Sequence, residues 1–191
     1  KCGVKKYINS GPMTMIYRIN AGPIPKNSWI QDPKIGGGRI LGELCHFVDY
    51  LTYINGSIPV NVSAQALPDK DNFNDTVNIM IQFANNSSAV ICYYANGSKD
   101  LPKEYIEIFS SGTSIALNDF KELQIYGIGK PSKSKSFIQD KGQKEMVGEY
   151  IDSLLNNSND LIPFEEIIAV TKTGFRIVES LKNNGKQFKI E

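Results

Sequence analysis

Arg39, Glu43, His46 and Tyr50 are the residues of this 191-residue chain whose types and spacing suit shared chemistry. Separated by four, three and four positions, they gather on one narrow arc if the segment is helical. His46 is the only histidine in the chain. Imidazole as a class titrates near neutrality, which suits taking a proton from a substrate hydroxyl; the alternative is a satisfied structural histidine. Glu43, one turn away, can orient the ring or simply pair with it at the surface. Asp49 lies about 60° round the helix from His46 and is either a partner or a solvated carboxylate. Arg39 is suited to clamping a carboxylate or phosphate, or to capping the preceding loop. Trp29, the only tryptophan, sits in an irregular stretch where it either stacks on a sugar or joins the core.

These side chains need a helix to hold them. From Ile35 to Ile54 the chain opens on Gly36-Gly37-Gly38 and then places Ile40, Leu44, Phe47, Leu51 and Ile54 on one stripe at 100° per residue. Met13 to Ile19 reads as a strand before it, and the irregular span from Asn20 to Ile35 carries Pro23, Pro25, Pro33 and Trp29. After the helix, Val60 to Ala66 and Val77 to Phe83 alternate apolar with polar, as in an antiparallel sheet covered on one side. Asn85 to Ser88 suits a hairpin turn. Ala89 to Ala95 is apolar on both faces, which predicts a central strand whose second face, bearing Ile91 or Tyr93, is covered by another subunit. Tyr105 to Phe109, Ser114 to Leu117 and Glu122 to Tyr126 supply further strands, and residues 130–141 read as a soft loop. Gln143 to Leu155 is helical. A last helix begins at Pro163 and ends at Lys182, with Phe164, Ile167, Ile168, Thr171, Phe175, Val178 and Leu181 as its expected buried stripe.

Composition narrows the possible functions. Twenty-one basic and 20 acidic residues leave a formal charge of +1, with no basic block, so neither nucleic acid nor an anionic membrane is an expected partner. No apolar run approaches the roughly 20 residues of a membrane helix. Cys2, Cys45 and Cys92 are odd in number and widely spaced, and the latter two read as packed thiols. Asn55, Asn61, Asn74, Asn85, Asn86 and Asn96 each begin an Asn-x-Ser/Thr triplet, but several lie in strand-like runs and the whole chain is rich in asparagine. A cytoplasmic location is expected. One histidine and scattered cysteines argue against a metal site. The three glycines do not make a dinucleotide loop: the next glycine, Gly42, is one residue late, and a proline-rich loop rather than a strand precedes them. No phosphate-binding loop or nucleophile elbow is present.

Five segments resemble one family. MTMIYRINAG (13–22), IPKNSWIQDP (24–33), GGGRILGELCHFVD (36–49), IEIFSSGTSIALNDF (106–120) and IPFEEIIAVTKTGFRIVESL (162–181) are similar, in this order, to the C-terminal domain of the Gfo/Idh/MocA oxidoreductases. The resemblance implies a single α+β domain over 1–191, with 1–12 left from a preceding domain or linker. Its expected architecture is a predominantly antiparallel open sheet with helices packed on one face, similar to dihydrodipicolinate reductase. It implies an N-terminal Rossmann domain that binds NAD or NADP, and hydride transfer at a sugar, cyclitol or nucleotide-sugar carbon. His46 matches the catalytic histidine, with Glu43 beside it. Arg18, Asn20, Trp29, Arg39 and Tyr50 are the expected substrate-binding residues, and the open sheet is expected to form a homo-oligomer.

The chain also departs from that family. The pattern Gly-Gly-Gly-x-x-x-Asp-x-Gly-x-His has Gly42 at its aspartate position, with Glu43 one residue along. The Gly-Glu-x-Cys-His form resembles a subgroup of surface-polysaccharide synthesis, which points to nucleotide sugars. The cofactor domain and the Glu-Lys-Pro motif with its catalytic lysine are missing, so this piece is expected to bind no cofactor and to be inactive alone. The rival expectation is a non-catalytic module that keeps the fold for sheet-mediated assembly.

Overall fold

A computed structural model describes residues 4–8, 11–32, 34–156 and 161–191. Among these, nine strands form one open sheet in the order β8-β7-β6-β5-β1-β4-β3-β2-β9. In chain order these are β1 (Thr14–Asn20), β2 (Pro59–Ala66), β3 (Val77–Phe83), β4 (Ser88–Tyr94), β5 (Glu104–Ser110), β6 (Thr113–Asn118), β7 (Glu122–Tyr126), β8 (Ser132–Lys135) and β9 (Phe188–Lys189). Three helices join them: α1 (Cys45–Asn55), α2 (Gln143–Leu155) and α3 (Phe164–Lys182). All neighbouring strands are antiparallel except β1 and β4, so the expected α+β architecture with a mainly antiparallel sheet is the one observed. The parallel pair follows from chain order: β1 sits at the sheet centre and α1, β2 and β3 intervene before β4 returns beside it.

Strand alternation puts Met15, Tyr17 and Ile19 of β1, Ile91 and Tyr93 of β4, and Ile106 and Ile108 of β5 on the inner face, each at most 2% exposed. The stripe expected on the first helix, Ile40, Leu44, Phe47, Leu51 and Ile54, is buried against them. Burying each such side chain contributes about 1.5–3 kcal/mol. The helix differs from expectation at its start. Residues Ile40–Leu44 form a π turn before the α-helical hydrogen bonding of α1 begins, and Gly56 at φ 66° ends it.

Several expectations change here. Ile91 and Tyr93 both point inward, so neither is an outward face; Val90, Cys92 and Tyr94 are. Ile91 and Tyr93 share a face because they are two apart, and α1 covers that side. The stripe expected on α3 is also rotated. Phe164 (65% exposed), Ile167, Ile168 and Phe175 (57%) face out, and Thr171 is exposed, while Val178 and Leu181 are partly buried. The buried face is Ala169, Val170, Thr173, Gly174, Ile177 and Ser180. Small residues let α3 come close to α1 and β2, with Ser180 Oγ accepting from the Ala64 backbone N–H at 2.9 Å. The span 130–141 is not loop throughout, since it carries β8. Lys133 and Lys135 there pair with Glu122 across the edge at 2.8 and 3.7 Å, which discourages further strand addition. Cys45 and Cys92 are free thiols, while Cys2 lies outside the described residues.

Candidate functional site

The site residues gather where β1 and β4 end and β5 begins. Ile19 is flanked in register by Tyr93 of β4 and Glu104 of β5, so the phenol and the carboxylate stand on the inner face on either side of it. The π turn and the first turns of α1 cross above. Leading into them, Gly36 N–H and Gly37 N–H both bond Asp32 O, and Gly38 N–H bonds Ile30 O. Only glycine fits at 36, where a Cβ would stand 2.5 Å from Ile30 Cα and from Trp29 O. Those three amides are therefore committed to the loop's own backbone and do not form a phosphate cradle.

Arg39 begins the helical run and is 3% exposed. Its Nε and Nη2 donate to the two Glu43 oxygens at 3.0 and 3.3 Å, its Nη1 donates to Gly22 O at 2.8 Å, and it lies 5.2 Å over the Tyr93 ring. It ties the segment after β1 to the helix. A guanidinium buried in this way does not offer itself to a substrate anion. Glu43 also accepts from Tyr93 Oη at 2.7 Å. Burial pushes the Glu43 carboxyl up, but the bonds from Arg39 and Tyr93 and the charges of Arg39 and Lys103 outweigh it, so the group lies below its ordinary range. The π turn swings Glu43 inward to Tyr93 instead of setting it beside His46.

His46 is exposed, and its side chain makes no hydrogen bond among the described residues. The carboxylate it interacts with electrostatically is Asp49, three residues on. Burial pushes Asp49 up, and His46 pulls it partly back. Tyr50 is half-buried and packs edge-on to Tyr17 (5.8 Å between centroids) and Phe120 (5.6 Å). Phe47 lies between Tyr17 and Tyr93.

The remaining expected residues fall in three places. Trp29, 65% exposed in a 3-10 turn, borders a hollow of about 670 Å³ with Lys26, Asp32, Lys34 and Ile35. It is not in the core. Asn20 is buried, and its amide donates to Ser98 O and Leu101 O at 2.6 and 3.0 Å, holding the loop before β5. Arg18 is on the other face of the sheet, bonded to Pro102 O at 2.7 Å and stacked on Tyr105. Strand period two separates it from the Tyr17 side, so it does not line the same wall as His46.

Sequence reasoning missed Tyr93, Glu104 and Lys141. Glu104 is 4% exposed; its Oε2 accepts from Tyr17 Oη, and its Oε1 accepts from Lys141 Nζ at 2.5 Å. One signal was available: Glu104 has the inward parity of Ile106 and Ile108 on β5. Nothing local marks Lys141. Among the described residues no cluster of three or more His, Cys, Asp or Glu side chains could hold a metal, and no helix is long and apolar enough to cross a membrane.

The profile of the GFO/IDH/MocA C-terminal domain matches residues 11–115. No curated protein matches by sequence. Among solved structures, a levoglucosan dehydrogenase in complex with NADH superposes with a TM-score of 0.79 at 18% identity, over 98% of this chain and 62% of its own. The aldose-aldose oxidoreductase of Caulobacter crescentus complexed with glycerol gives 0.74 at 14%, over 94% and 56%. The UDP-N-acetylglucosamine 3-dehydrogenase of Acidithiobacillus ferrooxidans gives 0.74 at 13%, over 91% and 54%. The chain thus spans less than two thirds of the length of each.

Proposed function

Since this chain belongs to the GFO/IDH/MocA C-terminal domain family, we propose that it is the substrate-binding and catalytic part of an NAD(P)-dependent oxidoreductase that acts on a sugar, cyclitol or nucleotide-sugar hydroxyl. The observation that carries this reading is His46, an exposed imidazole on a buried helix, backed by Asp49 and standing one turn from the aromatic wall of Tyr50. His46 takes the proton of the substrate hydroxyl as the carbon–hydrogen bond of the same carbon breaks; in the reverse direction it returns that proton to the carbonyl oxygen. Arg39 and Glu43 position the helix without touching substrate. Trp29 supplies an exposed aromatic face for the sugar ring.

A nicotinamide cofactor would take the hydride. The glycine-loop amides of this chain are occupied by Asp32 and Ile30 carbonyls, so they do not fit its phosphates. The cofactor is assigned to a separate Rossmann domain, and this chain alone is assigned no activity. Helix α2 supports a covering domain: none of its residues is buried, and Met146, Val147, Tyr150, Ile151 and Leu154 form an apolar stripe open to solvent. The outer sheet face, with Ile16, Met80, Phe109 and Tyr126 exposed beside Val90, supports self-association. Levoglucosan and UDP-N-acetylglucosamine, named for two structural relatives, are the first substrates to try, and the cytoplasm is the assigned compartment.

The test is turnover of these sugars by the whole protein with NAD and NADP, with and without His46→Asn. Turnover abolished by the substitution supports the enzyme. A full-length protein that turns over none of them while still assembling through this sheet supports the non-catalytic module.

A further inference from the structure

The wall behind His46 closes into a ring of contacts that includes a lysine from far along the chain. Tyr50 packs against Tyr17, and Tyr17 Oη donates to the buried Glu104 carboxylate. The other Glu104 oxygen holds Lys141 Nζ at 2.5 Å. Lys141 Nζ stands 5.5 Å from the Phe120 ring centroid, and Phe120 packs edge-on against Tyr50. Phe120 adopts φ 53° and Asp119 φ 50°, a left-handed pair that a bulky residue rarely accepts. The turn between β6 and β7 is thus held in a costly shape that puts the Phe120 ring between Tyr50 and the ammonium.

Lys141 differs from the other partners in this ring. Its side chain is 38% exposed, whereas Glu104 is 4% exposed. An ammonium carries three N–H donors, and Glu104 is its one oxygen acceptor among the described residues. Every residue from 127 to 141 is exposed, so packing does not explain why this segment sends its lysine inward. A buried carboxylate facing that lysine does. The pair is close to neutral overall, which suits an uncharged oxygen acceptor better than a phosphate. The flanking aromatic rings suit the C–H face of a pyranose.

We propose that Lys141 is a substrate-contacting residue, donating to a hydroxyl of the sugar ring, with Glu104 as the positioning residue that fixes its ammonium over Phe120. This rests on the sugar-oxidoreductase reading above and adds a contact to it. The hydroxyl it takes is one that does not react, since His46 receives the proton of the reacting one.

The experiment is an NMR titration of this chain, labelled with 13C-lysine and observed also at the His46 ring protons. The probes are levoglucosan, UDP-N-acetylglucosamine and, separately, inorganic phosphate. The Lys141 Cε–Hε signal is identified by its loss in Lys141→Arg. With at least one sugar probe, the Lys141 and His46 signals should move along a single isotherm, and phosphate should leave Lys141 still. Read at His46, Lys141→Met should weaken binding by about tenfold, and Lys141→Arg by no more than about threefold. A His46 response with a still Lys141, or unchanged affinity in Lys141→Met, overturns the contact and leaves the enzyme reading standing. A phosphate response at Lys141 equal to that of the sugars overturns the hydroxyl assignment. If neither sugar moves His46 or Lys141, the contact falls, while turnover by the whole protein still decides the enzyme reading. Should Lys141→Met not fold, the wild-type signals decide alone.

Discussion

Tyr93 on β4 donates a 2.7 Å hydrogen bond to Glu43, 50 positions earlier in the π turn that leads into α1. The bond reaches a carboxylate already gripped by Arg39, whose other side holds the carbonyl of Gly22. Three parts of the chain are thereby fixed together: the segment after β1, the start of the His46 helix and the end of β4. A carboxylate one turn from a lone histidine is in this way a structural junction.

That junction makes stability depend on acid pH. The folded Glu43 carboxyl lies below its ordinary 4.5. Its contribution is therefore complete above that value and disappears as pH falls through the lowered one. Tyr93→Phe removes one of the lowering hydrogen bonds and moves the folded group back towards 4.5. The melting-temperature gap between wild type and Tyr93→Phe should be widest near neutrality and narrow as pH falls below 4.5 and through the lowered value. Thermal scans from neutrality into acid check it, and curves that stay parallel throughout would show that the phenol does not act through Glu43.

Arg39 is expected to matter for folding more than for substrate. Arg39→Ala leaves Glu43 without its guanidinium and Gly22 O without a donor, so it should cost about 3 kcal/mol, the low end for breaking a buried pair. Arg39→Lys should recover only part, because a point charge cannot reproduce the two-pronged contact. Denaturant titration measures both, and a loss of substrate affinity at unchanged stability would return Arg39 to the binding residues.

His46 should behave in the opposite way. His46→Asn in the whole enzyme is expected to lower kcat by about 10²–10⁴ with KM changed far less, because a general base acts mostly in the transition state. Its exposure predicts little change in melting temperature. Measuring both on one preparation separates the roles: an unchanged kcat assigns the base to another residue.

Asp49 and Glu43 should divide between the two behaviours. Asp49→Asn removes the carboxylate facing His46 and should shift the pH–rate profile. Glu43→Gln should lower stability first and kcat less than His46→Asn does. If Glu43→Gln moves the pH–rate profile and Asp49→Asn leaves it alone, the assignment is reversed.

Assembly gives a test based on strand parity. Val90→Lys, on the outer face, should give monomers by light scattering without unfolding. Ile91→Lys places a charge in a fully buried position and should abolish folding. A wild-type chain that is already monomeric at high concentration would end the sheet-interface proposal.

Local pattern was enough for much of this protein. The stripe of Ile40, Leu44, Phe47, Leu51 and Ile54 identified the first helix and its buried face, because apolar periodicity is a property of neighbours in sequence. The period-two runs of β2 and β3 did the same for their strands, and the glycine-to-histidine segment named the family and placed His46 on a helix. Periodicity could not say which side of β4 would be covered, since it is apolar on both faces, and on α3 it favoured the large apolar side chains over the small ones that pack. That was decided by packing, when α1 settled on Tyr93 and Ile91 and small residues drew α3 close to β2. The partners of the candidate site were decided the same way. Glu43 turned from His46 to Tyr93 because a π turn, which no residue pattern announced, rotated it inward. Arg18 left the site because strand pleat sent it through the sheet. Glu104 and Lys141 entered it from 58 and 95 positions beyond His46 in the sequence, brought there by a sheet order that sets β5 beside β1 and by a buried carboxylate that needed a cation.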